Sequence, residues 1–311
     1  MEPRRWNILK RRKIVAKHEA IQDETKTTAE PTTTRASDGG CCGSSANPTS
    51  ASNPNTALGS KDDVRKLVRE KYGEIARQSS SCGGDSSVRV DDMKKLGYSA
   101  AQSQDVPEGA NLGLGCGNPL AHAGLRIGET VLDLGSGAGI DAFLAAREVG
   151  PTGRVIGVDM TSDMIERARA NAERVGVKHV EFRLGEIEHL PVDDASVDLV
   201  ISNCVVNLSP DKPQVFREAF RVLQSGGRMA VSDLTLLEPL PESVKHSVQA
   251  YVGCVAGASL KDDYLQYIRD AGFQDVEIVE ETRYPKEGSC SPEIAAAAEL
   301  VVSVKVHARK P

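Results

Sequence analysis

Residues 131–139 read VLDLGSGAG, an apolar run that breaks into glycine at 135, 137 and 139. Val131, Leu132 and Leu134 have the character of a buried strand, and the glycines then let the backbone turn tightly into the helical pattern GIDAFLAAREVG at 139–150. Such a turn presents free backbone N–H groups at a helix start, a place where a ligand can be approached closely. The same alternation runs on. GRVIGVDM (153–160) reads as a strand, and SDMIERARANAERVG (162–176) as a helix capped by Ser162. HVEFRLGE (179–186) and VDLVISN (197–203) are further strands. DKPQVFREAFRVLQ (211–224) is a helix stopped by Ser225, Gly226 and Gly227, and RMAVSDL (228–234) is the next strand. After an insertion, LKDDYLQYIRDAGF is a helix, DVEIVEETRY a strand, and LVVSVKVHA alternates as an antiparallel edge-region strand does. Repeated strand–helix alternation predicts an α/β fold with a doubly wound, mostly parallel sheet.

Outward from this core the chain changes character. Residues 1–60 form a Lys- and Arg-bearing, then Thr-, Ser- and Asn-rich tail with too few apolar residues to offset its ordering entropy. Residues 61–240 hold a helix (Val64, Leu67, Val68 and Ile75 on one stripe) followed by cysteine-bearing loops and the ligand-binding core. Residues 241–311 are expected to supply an acceptor-side lid and the strands that complete the sheet. Net charge is -6 and aromatics are 4%, so neither a basic field nor stacking platforms favour nucleic acid. No apolar run reaches the roughly 20 residues that cross a bilayer. The basic N-terminus lacks the apolar stretch of a secretory signal, and seven scattered cysteines do not form a disulfide framework. A cytoplasmic monomer with free thiols is expected.

Asp159 ends the strand after the glycine turn, where a dinucleotide fold keeps its ribose-binding acid. Two details separate this turn from a nicotinamide site. It reads GSGAG rather than GxGxxG, and Asp133 stands just before it, where a carboxylate repels pyrophosphate but suits a cationic amino-acid moiety. In this respect the core resembles the class I (Rossmann-like) methyltransferases, whose donor is S-adenosyl-L-methionine. The resemblance implies donor contacts from Asp133, Gly135, Ser136 and Gly137. It implies ribose contacts from Asp159 with Met160 beside it, and adenine contacts from Gly185, Glu186 and Ile187. Asn203 and Val205 are expected on the reacting side, and the last strand antiparallel.

Acceptor residues in that family follow the fourth strand, here SNCVVNLSPDK at 202–212. A thiol at that edge binds soft ions, although a lone Cys204 is equally a small core residue. Cys116 lies in GLGCGNP before the first core strand, and Cys254 in YVGCVAGA in the insertion. None has the CxxC spacing of a zinc site. Three cysteines from three segments over one methyl donor would make a trigonal cup suited to trivalent arsenic.

Taken together, SNCVVNLSPDK, GLGCGNP, VLDLGSGAG, VDMT and YVGC resemble the arsenite methyltransferases, over Tyr72 to Ala308. That resemblance implies arsenic ligation by Cys204 and Cys254, with Cys116 completing the site. It implies a turnover disulfide between Cys116 and a cysteine before the core, here Cys82, reduced by thioredoxin or glutathione. Tyr72 and Gly73 match a segment that the family folds over the donor. The substrate would be arsenite or its thiol conjugate, methylated by direct displacement without a general base. Cys82 stands alone where many bacterial relatives carry a pair, and Cys41-Cys42 sits instead in the tail, either in a redox or capture role or unused. Cys290 receives no role. Asp233, at the end of the fifth strand, reads as a turn cap, and the six histidines read as solvated. Two other readings stay open: methylation of a carbon, oxygen or sulfur acceptor, and metalloid sequestration without catalysis.

Overall fold

The computed structural model describes residues 59–78, 93–283 and 297–311. The readings placed on the tail, on Cys82 and on Cys290 lie outside them. The described elements are, in order, α1 (Lys61–Gln78), α2 (Ala100–Asp105), β1 (Thr130–Leu134), α3 (Ile140–Val149), β2 (Arg154–Asp159), α4 (Ser162–Val175) and β3 (Val180–Leu184). There follow β4 (Val197–Asn203), α5 (Lys212–Val222), β5 (Leu223–Leu236), α6 (Glu242–Lys245), α7 (Val248–Val252), α8 (Lys261–Asp270), β6 (Gln274–Arg283) and β7 (Val301–Arg309). The sheet order is β3-β2-β1-β4-β5-β7-β6, parallel from β3 to β5, with β7 antiparallel to both neighbours. This is the class I methyltransferase arrangement. The order reverses between β1 and β4, so the crevice at their carboxyl ends is where such a sheet binds ligands.

Alternation along the strands builds a core on each face. Leu132, Leu134, Ile156 and Val158 point to one side and pack with Phe216 and Ala219 of α5 and Tyr264 and Ile268 of α8. Val131, Val155, Leu199 and Ile201 point to the other, against Ala142, Phe143 and Ala146 of α3 and Ile165 of α4. A third cluster caps the carboxyl edge of the sheet. It joins Val64 and Val68 of α1, Leu234 and Leu236 of β5, and Ala250 and Tyr251 of α7 around Cys204 and Cys254.

Three local readings need correction. The last strand, β7, is interior: it lies between β5 and β6, and its Val301, Val302, Val304, Val306 and Ala308 are all buried. Ser162 is the first residue of α4 and Thr161 its cap. Thr161 makes no side-chain capping bond, and its own N–H donates to Asp159 Oδ1 at 2.8 Å. The helix over 211–224 ends at Val222, because Leu223 is already extended and pairs with Val197.

The glycine turn fits only because β2 keeps a glycine beneath it. A Cβ at Gly157 would stand 2.6 Å from Phe182 and 2.7 Å from the Ser136 hydroxyl. Gly157→Ala is therefore expected to lower the unfolding free energy by about 1–3 kcal/mol, read as a reduced urea midpoint with an unchanged slope.

Candidate active site

A cleft opens at the β1/β4 reversal. Its walls include Tyr72, Asp133, Gly135, Ser136, Gly137, Asp159, Met160, Ile187, Asn203, Cys204 and Val205. Gly135 and Gly137 have φ of 64° and 51°, the left-handed region that glycine adopts without penalty. Both oxygens of Asp159 are engaged: Oδ2 accepts the Gly137 N–H at 2.9 Å and Oδ1 that of Thr161. The carboxylate thus fastens the turn to the end of β2. Burial pushes its pKa up, and these backbone bonds oppose the rise.

Asp133 is buried, and its Oδ2 has no hydrogen-bond partner. Burial first, then the nearby charges of Asp141 and Asp159, hold it well above the usual carboxylate range. An unpartnered buried carboxylate oxygen beside the cleft fits a ligand that brings a cation. The Ser136 hydroxyl is likewise buried and unpartnered.

Three expected contacts fall elsewhere. Gly185 faces Pro191. Glu186 pairs with Arg65 and Arg69 of α1 at 3.5 and 3.2 Å, while Ile187 and Glu188 line the cleft. Gly73 faces Asp163 and Arg77. Its neighbour Tyr72 does line the cleft, and its hydroxyl donates to the Val252 carbonyl at 3.2 Å, tying α1 to the segment that bears Cys254.

Cys204 lines this cleft, and Cys116 and Cys254 lie beside Cys204. Sγ of Cys116, Sγ of Cys204 and a carboxylate oxygen of Asp233 all lie within 4.8 Å of one another. The Cys254 thiol donates to the Cys204 carbonyl at 3.0 Å. Cys204 continues the β4–β5 ladder through its N–H to the Ser232 carbonyl at 2.8 Å. Cys204 and Cys254 both hold left-handed backbones, with φ of 60° and 64°. For a residue with a Cβ this costs about 1–2 kcal/mol, so both thiols are aimed at the expense of local stability. Hydrogen bonds from Cys116 and Cys254, with burial, hold the Cys204 thiol well above its ordinary pKa, and burial raises Cys116. Without a ligand Cys116 and Cys204 are protonated at neutral pH.

The sequence reading missed the residue pair that joins the two halves of the site. Tyr98 OH donates to Asp141 Oδ1 at 2.8 Å, and Asn203 Nδ2 reaches Asp141 Oδ2 at 3.0 Å, Tyr98 OH at 2.9 Å and the Gly117 carbonyl at 2.8 Å. Asn203 Oδ1 accepts the Cys116 N–H at 3.1 Å. Burial pushes Asp141 up to about 6, against these hydrogen bonds. Asp141 looks like an ordinary first-turn acid, and Tyr98 belongs to no pattern. Asp233 is no simple turn cap either. It lies inside β5, buried against the thiols, and accepts from Asn207 Nδ2, the Leu234 N–H and Tyr264 OH at 2.7, 3.0 and 3.1 Å.

Residues 125–272 match a family model described as a methyltransferase domain. The chain is 47% identical to an arsenite methyltransferase of Halobacterium salinarum, over 80% of this chain and 67% of that one. It is 38% identical to that of Aquipseudomonas alcaligenes, over 70% of this chain and 64% of the relative. It also resembles the crystal structure of an arsenic(III) S-adenosylmethionine methyltransferase from Chlamydomonas reinhardtii, with a TM-score of 0.57 and 36% identity over 70% and 73% of the two chains. The chain thus spans about two thirds of the length of the curated relatives it matches.

Replacing Asn203 by Ala is expected to unhook the Cys116 loop and leave Tyr98 and Asp141 short of a donor, at a cost of about 1–3 kcal/mol. Mass-spectrometric mapping of alkylation in the folded protein should then show Cys116 labelled faster and Cys254 little changed.

Proposed function

The chain belongs to the arsenite methyltransferase family, and we propose that it transfers a methyl group from S-adenosyl-L-methionine to trivalent arsenic held by Cys116, Cys204 and Cys254. One observation carries the reading: thiols from three distant segments gather in an apolar cluster around Cys204, which lines a cleft suited to a cationic donor. Soft thiolates select a soft acceptor, and three of them fill the trigonal base that arsenic takes while keeping its lone pair.

The residues that would hold the donor are those of the cleft. Asp133 faces the cationic methionine end, Asp159 the ribose, and Ile187 the adenine. Bound there, the donor supplies an electrophilic methyl carbon to the arsenic lone pair and leaves as a neutral thioether. The nucleophile carries no proton, so the protein needs no base at the moment of transfer. What it supplies is alignment, which contributes roughly 7–11 kcal/mol when the geometry is right. The apolar cap excludes water, and thiolate ligation raises electron density on arsenic. Thiol protons leave with the displaced hydroxide or thiol as each Cys–As bond forms.

Methylation formally oxidises arsenic by two electrons. We assign their return to a disulfide formed by Cys82 and Cys116, which thioredoxin or glutathione reduces. This chemistry suits a reducing cytoplasm and a monomeric enzyme whose acceptor is arsenite or its thiol conjugate.

Two measurements test the reading. Purified protein incubated with arsenite, thiol and donor should produce methylarsenicals. Cys204→Ser and Cys254→Ser should each abolish product while still binding the donor; retained activity in either rules out the thiol cup. The second measurement follows the buried acids. Protonated, neither Asp133 nor Asp141 pairs with a cation; both are raised, and Asp141, at about 6, is ionised only above that pH. Donor binding should therefore expel protons near pH 6, and affinity should rise about tenfold from pH 5 to pH 7. Calorimetry in buffers of different ionisation enthalpy reads both, and the rise should shrink in Asp141→Asn.

A further inference from the structure

Arsenic needs three thiolates, yet a fourth ligand stands among them. The Asp233 carboxylate shares the 4.8 Å cluster with Cys116 and Cys204. It is buried at 1% exposure. Its Oδ1 is saturated, with the Asn207 amide and the Leu234 N–H taking both lone pairs, whereas Oδ2 accepts only from Tyr264. One lone pair of a fixed carboxylate is left over. Hydrogen bonds of this kind orient a carboxylate that ligates a metal. Lys212, half-buried nearby, offsets part of the negative charge: its ammonium lies within electrostatic range of both Asp233 and Cys254.

We propose that the thiol cup, with Asp233 as its fourth ligand, is also a tetrahedral site for a d10 divalent cation, zinc or cadmium. The proposal rests on the cup assigned to arsenic above. A tetrahedron with zinc–sulfur bonds of about 2.3 Å has ligand–ligand edges of about 3.8 Å, which the Cys116, Cys204 and Asp233 atoms reach by a contraction of about 1 Å or less, the Cys254 thiol turning in from its place beside the Cys204 carbonyl. The two occupants differ in kind. Trivalent arsenic takes three ligands and keeps a lone pair, while zinc and cadmium take four and have none to offer a methyl group. On binding, the cation displaces the three thiol protons to solvent and forms a stable, unmethylatable complex. Zinc and cadmium are therefore competitors of arsenite at its own site, and Asp233 is what selects for them.

The test uses the full reduced chain and the chlorides of zinc and cadmium as probes, without arsenite or donor. One equivalent should bind, the cadmium form should show thiolate-to-metal charge-transfer absorption, and arsenite should displace either ion competitively. Asp233→Asn should weaken zinc by about tenfold or more while arsenite affinity stays within about twofold. Equal zinc affinity in Asp233→Asn, zinc retained in Cys204→Ser, or no zinc bound by the wild type each overturns the proposal. X-ray absorption on the wild-type zinc form needs no variant to fold. Three sulfurs and one oxygen support the site, and four sulfurs or two overturn it. Arsenite methylation by the metal-free protein is read separately. Its failure alongside S3O zinc would defeat the arsenic activity and leave the cation site standing.

Discussion

The carboxamide of Asn203 is the joint on which the site depends. It ends β4, the strand at the reversal of the sheet, and one side chain there reaches both halves of the site. Through Nδ2 it holds Asp141 and Tyr98 beside the donor turn, and through Oδ1 it holds the backbone of Cys116. The next residue is Cys204, locked by its own N–H to β5. The distance between the thiols and the cleft is thus set by one half-buried amide, bonded on both sides. For a transfer that uses alignment instead of proton chemistry, such a fixed span is the main requirement.

The apolar cap gives the same residues a second property. Charge on the thiols buried among Val68, Leu208, Leu234 and Tyr251 is costly without a counterion. Cys116, Cys204 and Asp133 are therefore held toward their neutral forms, while Asp141, raised to about 6, is largely ionised at neutral pH and Asp233, raised to about 7, lies near its midpoint. Asp133, Asp141, Asp233, Cys116 and Cys204 all follow this logic, each displaced upward by burial or by its neighbours. Asp233 shows its limit, since burial lifts it to about 7 while the Leu234 N–H, Tyr264 and Lys212 hold it from going further.

Much of the fold was legible because its signals are local. An apolar run and a 3.6-residue period follow each other closely in each βα unit, and the first adds a glycine turn. The thiol cup was legible for a different reason: cysteine is rare enough that Cys116, Cys204 and Cys254 stood out without knowledge of their contacts. What escaped is chemistry made by ordinary residues. Asp141 resembles any first-turn acid, Tyr98 any core aromatic, and Asp233 any polar residue at a strand end, until tertiary packing puts them against Asn203 or the thiols. The interior place of β7 escaped for a similar reason. Its alternation, VVSVKVHAR, matches a half-exposed strand, yet both of its edges are paired and Lys305 is buried against Glu280 at 2.8 Å. The left-handed backbones of Cys204 and Cys254 carry no sequence signal, because neither position is glycine.

Helix α1 lies across both compartments. Val64, Val68 and Tyr72 contribute to the cap over the thiols, and Val68 and Tyr72 also wall the donor cleft. It is clamped by charged contacts to segments that follow three different strands: Arg77 to Asp163 in the first turn of α4, Arg65 and Arg69 to Glu186, and Lys61 to Asp211. Because one element roofs both chambers, neither can be unsealed alone by lifting it. Any displacement of this helix therefore alters access to the thiols and to the cleft together.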